Sequence, residues 1–271
     1  MTNLTDTGAM LTAMRQATPL VHCITNYVAM NISANVVLAA GASPAMIHTP
    51  EESGDFAAIA GALTVNIGTL SPHWVEGMKA AAKGAAGAGK PWVLDPVAHF
   101  ASAYRAAAAQ ELVALKPTII RGNASEIIAL TGADAAGQGA DAGDPVEAAE
   151  GAARALSTET GAVVAVTGTV DFVTDGNRAV RIAGGHEVMP LITALGCSLT
   201  CLVGAYAAAV DDPFDATVAA LALFGYAGAG AGKARAGEGA PGPGTFAVRF
   251  LDALHAAQPA ELSAAGLVSA A

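Results

Sequence analysis

Short, solidly apolar blocks recur through the first two thirds of the chain, at 19–24, 43–47, 63–67, 92–95, 118–120 and 162–166. They do not alternate with polar residues, which is how strands read when helices cover both faces of a parallel sheet. Between them the periodicity predicts helices over 7–17, 28–40, 51–61, 71–86, 102–115, 123–130 and 145–160. Several carry end signals. Gly41 closes the second helix, Glu51 and Glu52 sit in the first turn of the third, and Ser71-Pro72 pairs a cap with a proline at the first helical position. Segments 170–174 and 178–182 flank Asp175-Gly176, a hairpin signal that predicts an antiparallel addition at one edge of the sheet. The remainder reads as helix, over 197–210, 213–232 and 245–255, with a Gly/Pro-rich break before the last. Stretch 132–144 is expected to be a surface loop, and the Ala/Ser-rich tail from Pro259 is expected to fray. No linker or internal repeat divides the chain. The expectation is one domain over 1–271, α/β, three-layered, with a mainly parallel central sheet.

Composition narrows the function classes. The hydrophobic fraction of 53% is inflated by alanine, and no segment has about 18 consecutive strongly apolar residues, so no membrane span is expected. Met1-Thr-Asn-Leu-Thr-Asp6 lacks the basic start and apolar run of a signal peptide. Three cysteines give neither a disulfide framework nor a zinc motif. A cytoplasmic protein is the default. A net charge of −10 with 13 dispersed Lys and Arg argues against a nucleic-acid partner. A phosphate compound would have to be held by backbone amides, a metal and few cations.

In open sheets of this kind ligands bind at the carboxyl ends of the strands. The polar residues there are Thr25 and Asn26, Asn66 with Gly68 and Thr69, Asp95, Arg121 with Gly122 and Asn123, and Thr167 with Gly168. Asp95-Pro-Val97 offers a metal ligand or base, or else an Asx turn. In Arg121-Gly-Asn-Ala-Ser-Glu126, Asn123 and Glu126 have the spacing of a capping box, but Arg121 is not explained by capping and suits a phosphate. Glu126 also suits a magnesium ion held through water. Val166-Thr-Gly-Thr169 reads as a turn with a hydroxyl and close backbone approach. Gly196-Cys197-Ser198 begins an apolar helix, so it presents unpaired amides to an anion with a thiol beside them. Such a terminus is expected to lower the thiol pKa; the alternative is a buried structural cysteine. There is no GxxxxGK[ST] loop and no GxGxxG after the first strand.

Taken together, Ile24-Thr-Asn-Tyr-Val28, Asn31, Ala34-Asn35, Gly41-Ala-Ser-Pro-Ala-Met46, Asn66-Ile-Gly-Thr-Leu70, Asp95-Pro-Val97, Arg121 to Glu126 and Val166-Thr-Gly168 resemble the hydroxyethylthiazole kinases of the ribokinase-like superfamily. The resemblance runs in order from about residue 19 to 255. It implies phosphorylation of 4-methyl-5-(2-hydroxyethyl)thiazole by ATP with Mg2+, in a homotrimer with thiazole sites between subunits. By position, Asn26, Gly68, Ala194 and Met46 would meet the thiazole, Met46 reaching a neighbour's site. Arg121, Thr167, Asn123 and Gly196 would serve ATP, Asp95 and Glu126 magnesium and phosphates, and Cys197 would stand where most ribokinase-like enzymes have the catalytic Asp.

Two departures stand out. Ala194-Leu-Gly-Cys197 replaces the family's usual Gly-Thr-Gly-Cys, so the anion hole is expected to rest on the amides of Gly196 to Ser198. Ala98-His-Phe-Ala101 replaces the usual Gly-x-Gly-Ala after Asp-Pro-Val. The rival readings are a kinase of another small alcohol such as a hydroxymethylpyrimidine, a Cys-nucleophile hydrolase with His186 as base, and a non-catalytic sensor of thiazole or nucleotide.

Overall fold

The computed structural model describes residues 5–132, 145–234 and 239–271. The elements follow the expected alternation: α1 (Thr7–Ala17), β1 (Leu20–Ile24), α2 (Met30–Ala40), β2 (Ser43–Ala45), α3 (Pro50–Ile59), β3 (Ala62–Asn66) and α4 (Pro72–Gly87). Next come β4 (Trp92–Asp95), a 3-10 turn at His99–Ala101, α5 (Ala103–Val113), β5 (Ile119–Asn123), α6 (Ala124–Leu130), α7 (Val146–Thr160) and β6 (Val163–Thr167). The chain closes with the hairpin β7 (Asp171–Thr174) and β8 (Ala179–Ile182), a 3-10 turn at Met189–Leu191, α8 (Leu195–Ala207), α9 (Pro213–Gly232), α10 (Pro243–Ala256), α11 (Pro259–Ala264) and β9 (Val268–Ala270). All but one of the positions of the expected surface loop lie outside the described residues.

The strands form one sheet in the order β2-β1-β3-β4-β5-β6-β7-β8-β9. The first six pair in parallel and the last three antiparallel. The tail corrects its expectation. Instead of fraying, it forms α11, whose Leu262 is buried, and then β9, which pairs with β8 through Val268 opposite Ile182. Its Ala/Ser composition hid an edge strand, because strand addition uses main-chain groups that any residue supplies.

Period-two alternation splits the strands between two cores. Val163 and Ala165 face the layer of α1, α2, α8, α9 and α10, while Val164 and Val166 face that of α4, α6 and α7. Helix α9 is long and apolar enough to cross a membrane by length and composition, but 72% of its apolar window is buried within the protein. Helix α8 lies close on the sheet because Gly204 has no side chain: a Cβ there would come within 2.3 Å of Thr64 Cγ2. That close seat sets the start of α8 at the carboxyl ends of the central strands, where open sheets bind their ligands.

Candidate active site

Asp95, at the end of β4, is the centre of the polar cluster and is fully buried. Its Oδ2 accepts from Asn66 Nδ2 at 2.7 Å, Thr200 Oγ1 at 2.7 Å and Arg121 Nη1 at 3.3 Å. Its Oδ1 is buried without a partner. This is not an Asx turn. Burial raises its pKa to about 6, against the pull of Arg121 and with a further push from Glu126. A carboxylate oxygen left unpaired in a desolvated site suits a bound cation, its water or a substrate hydroxyl.

Arg121, on β5, joins Asp95 to Thr167 at the end of β6. Its Nη2 donates to Thr167 Oγ1 at 2.6 Å, and its Nε is buried without a partner. Gly196 makes room for it, since a Cβ there would lie 3.1 Å from Nη2. Asn123 and Glu126 form the capping box of α6: Asn123 Oδ1 accepts from Glu126 N at 2.9 Å, and Glu126 Oε2 accepts from Asn123 N at 2.8 Å. Glu126 Oε1 accepts from Ala98 N at 2.9 Å. Each carboxylate oxygen therefore already holds a backbone amide and keeps one lone pair, which suits contact with a metal through water rather than direct ligation.

Cys197, in the first turn of α8, accepts from Asn26 Nδ2 at 3.4 Å. Asn26 also donates to Asn66 Oδ1 at 2.8 Å, so one amide network links β1, β3, β4 and α8. Gly68 is required by it: a Cβ there would stand 2.5 Å from Asn26 Nδ2. The expected drop in thiol pKa is not found. Burial first, then the charge of Asp95, push Cys197 up to about 11, outweighing Arg121 and the Asn26 and Asn66 hydrogen bonds. A helix terminus stabilises a thiolate only modestly, and here desolvation and a like charge act together against it.

The anion hole is also smaller than expected. Ser198 N donates to Ala194 O at 3.0 Å as the first bond of the helix. That leaves the Gly196 and Cys197 amides at the terminus. Both departures from the family pattern fall on left-handed backbone: Ala194 has φ +61° and Ala98 φ +46°. These are conformations that glycine adopts freely and a residue with a Cβ adopts only at a cost.

Of the expected site residues, the structure gathers Asn26, Gly68, Asp95, Arg121, Glu126, Thr167, Gly196 and Cys197 through direct contacts, with Asn123 and Ala194 flanking them. Met46 stands apart. It follows β2, the edge strand, half-buried against the α2 side of the core. His186, the base of the hydrolase reading, is engaged elsewhere: its ring packs on Phe246 at 5.6 Å and against Gly232 of α9, and its Nδ1 accepts from Val188 N at 3.3 Å.

Three residues were not singled out as candidates from the sequence. Thr200 lies three positions after Cys197, a helical spacing that signals a shared face. Arg105 donates to four main-chain carbonyls of the loops that carry Gly68 and Ala98. Asp171 accepts from Gly168 N at 2.9 Å, shaping the turn after Thr167, and burial raises its pKa to about 7.

Comparison with known proteins agrees with this geometry. The sequence profile of the hydroxyethylthiazole kinase family matches residues 11–259. A hydroxyethylthiazole kinase of Rhizobium leguminosarum bv. trifolii is 66% identical over 272 residues, covering 100% of both chains. One from Cereibacter sphaeroides is 63% identical, covering 97% of this chain and 98% of the other. The structure of a hydroxyethylthiazole kinase from Pyrococcus horikoshii OT3 superposes with TM-score 0.84 at 36% identity, covering 94% of each chain. A Staphylococcus aureus pyridoxal kinase shares the fold, with TM-score 0.61 at 15% identity over 84% of this chain and 94% of that one. The fold is therefore the ribokinase-like three-layer α/β one, and the chain belongs to the hydroxyethylthiazole kinase family of kinases.

Proposed function

We propose that this chain transfers the γ-phosphoryl group of ATP to the hydroxyl of 4-methyl-5-(2-hydroxyethyl)thiazole, a salvage step toward thiamine. The observation that carries the reading is the unpartnered Oδ1 of buried Asp95, set between Arg121 and the start of α8 with Cys197 in its first turn. Membership of the family supports the choice of substrate.

Phosphoryl transfer proceeds through a loose transition state, so positioning and charge neutralisation dominate. Magnesium, when bound with ATP, would neutralise charge on the phosphates. Asp95 through Oδ1, and Glu126 through water, are the residues whose free lone pairs fit it. Arg121 and Thr167 would meet the phosphates, with Asn123 holding the β5–α6 corner beneath them. The amides of Gly196 and Cys197 would receive charge that develops on the transferring group. Asn26, Gly68 and Ala194 would border the thiazole.

Cys197 enters the reaction as a thiol, because its pKa lies near 11. It orients the substrate hydroxyl by a hydrogen bond and, already protonated, does not take its proton, which leaves late to an oxygen of the transferred phosphoryl group as the hydroxyl oxygen bonds to phosphorus. Met46 follows the edge strand β2, packs against the α2 side of the core and shares none of the cluster's hydrogen bonds; we read it as reaching a neighbour's thiazole in a homotrimer. We read the protein as a cytoplasmic enzyme with no nucleic-acid or membrane partner.

A coupled assay for ADP release tests this directly, with hydroxyethylthiazole against a hydroxymethylpyrimidine and a sugar. Turnover only with the thiazole alcohol is expected. Preference for the pyrimidine would transfer the site to another small alcohol, and thiazole binding without ADP release would make the protein a sensor.

A further inference from the structure

Arg105 projects from α5 into the space between two loops of the site. Its Nε donates to Ala98 O at 3.1 Å, its Nη1 to Gly68 O at 3.2 Å, and its Nη2 to Ile67 O at 2.7 Å and to Val97 O. Two carbonyls come from the loop after β3 and two from the loop after β4. Each loop holds a working group in place. The first carries Asn66, whose Oδ1 also accepts from Gly68 N at 2.9 Å, and the second carries the Ala98 amide that donates to Glu126.

Four carbonyl oxygens facing one point form a nest of negative dipole ends, the arrangement by which backbones bind a cation. Without a positive group the carbonyls would repel one another and the loops would separate. A guanidinium suits the place because it is planar, always charged, and presents five donors in a fixed fork. Burial works against its charge, and the carboxylate of Glu126 works for it. The need for such a tie is unusual here because Ala98 adopts φ +46° and Ala98-His-Phe-Ala101 lacks the usual glycines. A strained conformation persists only when its surroundings over-determine it. Ala98 is held from both sides: its amide by Glu126 and its carbonyl by Arg105.

We propose that Arg105 is the built-in cation of a carbonyl cage and thereby a positioning residue for phosphoryl transfer, tying the Asn66–Gly68 loop to the Asp95–Ala98 loop so that Asp95, Asn66 and Glu126 keep their registry. The positioning role rests on the kinase reading above; the cage itself does not.

The test uses the full chain as Arg105→Ala and Arg105→Lys. In Arg105→Ala, kcat is expected to fall by about ten- to a hundredfold, the scale of a misplaced reacting geometry, and the magnesium concentration for half-maximal rate to rise. Millimolar guanidinium should restore part of kcat and raise the melting temperature of this variant. Sodium chloride at equal ionic strength should do neither, and wild type should not respond. Arg105→Lys should fold, because a charge remains, yet lose kcat several-fold, since an ammonium with three donors cannot serve four carbonyls in a planar fork. The proposal is overturned if Arg105→Ala keeps wild-type kcat and magnesium dependence, or if guanidinium changes neither readout. If Arg105→Ala does not fold, wild-type kinetics in Arg105→Lys overturns it instead. Absence of thiazole kinase activity in wild type would refute the functional reading, while melting-temperature rescue of Arg105→Ala by guanidinium would still establish the cage.

Discussion

Replacing Ala194 by glycine should stabilise the protein, and the size of the effect can be worked from the backbone. Ala194 sits at φ +61°, just before α8. A residue with a Cβ costs about 1–2 kcal/mol in that conformation. Glycine removes this cost but adds unfolded-state entropy of about 0.5–1 kcal/mol. The Ala194 methyl is only half-buried, so its loss costs little. The net gain is about 0.5–1 kcal/mol, or a rise in melting temperature of about 1–4 °C for a chain of this size. Ala98→Gly is the internal control. It relieves the same kind of strain at φ +46°, but its methyl is 7% exposed. Losing a buried carbon of that size costs about 0.8 kcal/mol, which cancels the gain. Thermal unfolding of both variants at one pH checks the comparison. The reasoning is refuted if Ala194→Gly melts at or below wild type, or if Ala98→Gly stabilises as much.

Cys197→Ser should lower kcat by about tenfold or more if the thiol positions the substrate hydroxyl, and unchanged turnover would remove that role. Cys197→Asp should hold or raise kcat if the step is limited by the want of a base, which the protonated thiol with its pKa of about 11 does not supply, as steady-state rates across pH will show. Gly68→Ala places a Cβ 2.5 Å from Asn26 Nδ2, so it should break the Asn26–Asn66 contact and raise KM for the thiazole alcohol more than KM for ATP. Stability of the ligand-free protein should fall as pH rises from about 4 to 7. Buried Asp95 and half-buried Asp171 keep their protons to about pH 6 and 7 when folded, whereas the unfolded chain releases them near the ordinary value of 3.8, so the unfolded state binds fewer protons across that window. Asp171→Asn should flatten the upper part of the decline in chemical denaturation at pH 5 and 8; an unaltered slope would show that Asp171 is not its source.

Much of this protein follows from the order of its residues alone. Solid apolar blocks separated by helical periodicity require a parallel sheet covered on both faces, because no other arrangement removes both sides of such strands from water. The Ser71-Pro72 start, the Asp175-Gly176 hairpin and the capping box of Asn123 and Glu126 are local chemistry, and the structure contains all three. The polar strand ends were legible as a site because the topology of an open sheet brings them to one edge. What the sequence could not reveal depends on distance through space. Arg105 looks like any surface helix residue until α5 docks beside two loops and four carbonyls converge on it. The tail from Pro259 shows no strand pattern, since only the free edge of β8 makes it one. The thiol of Cys197 reads as activated from its helix position, but the tertiary structure buries it beside Asp95 and reverses the shift. Local sequence sets conformational preference, whereas desolvation, like-charge proximity and edge pairing are properties of packing, and those decided the chemistry of the site.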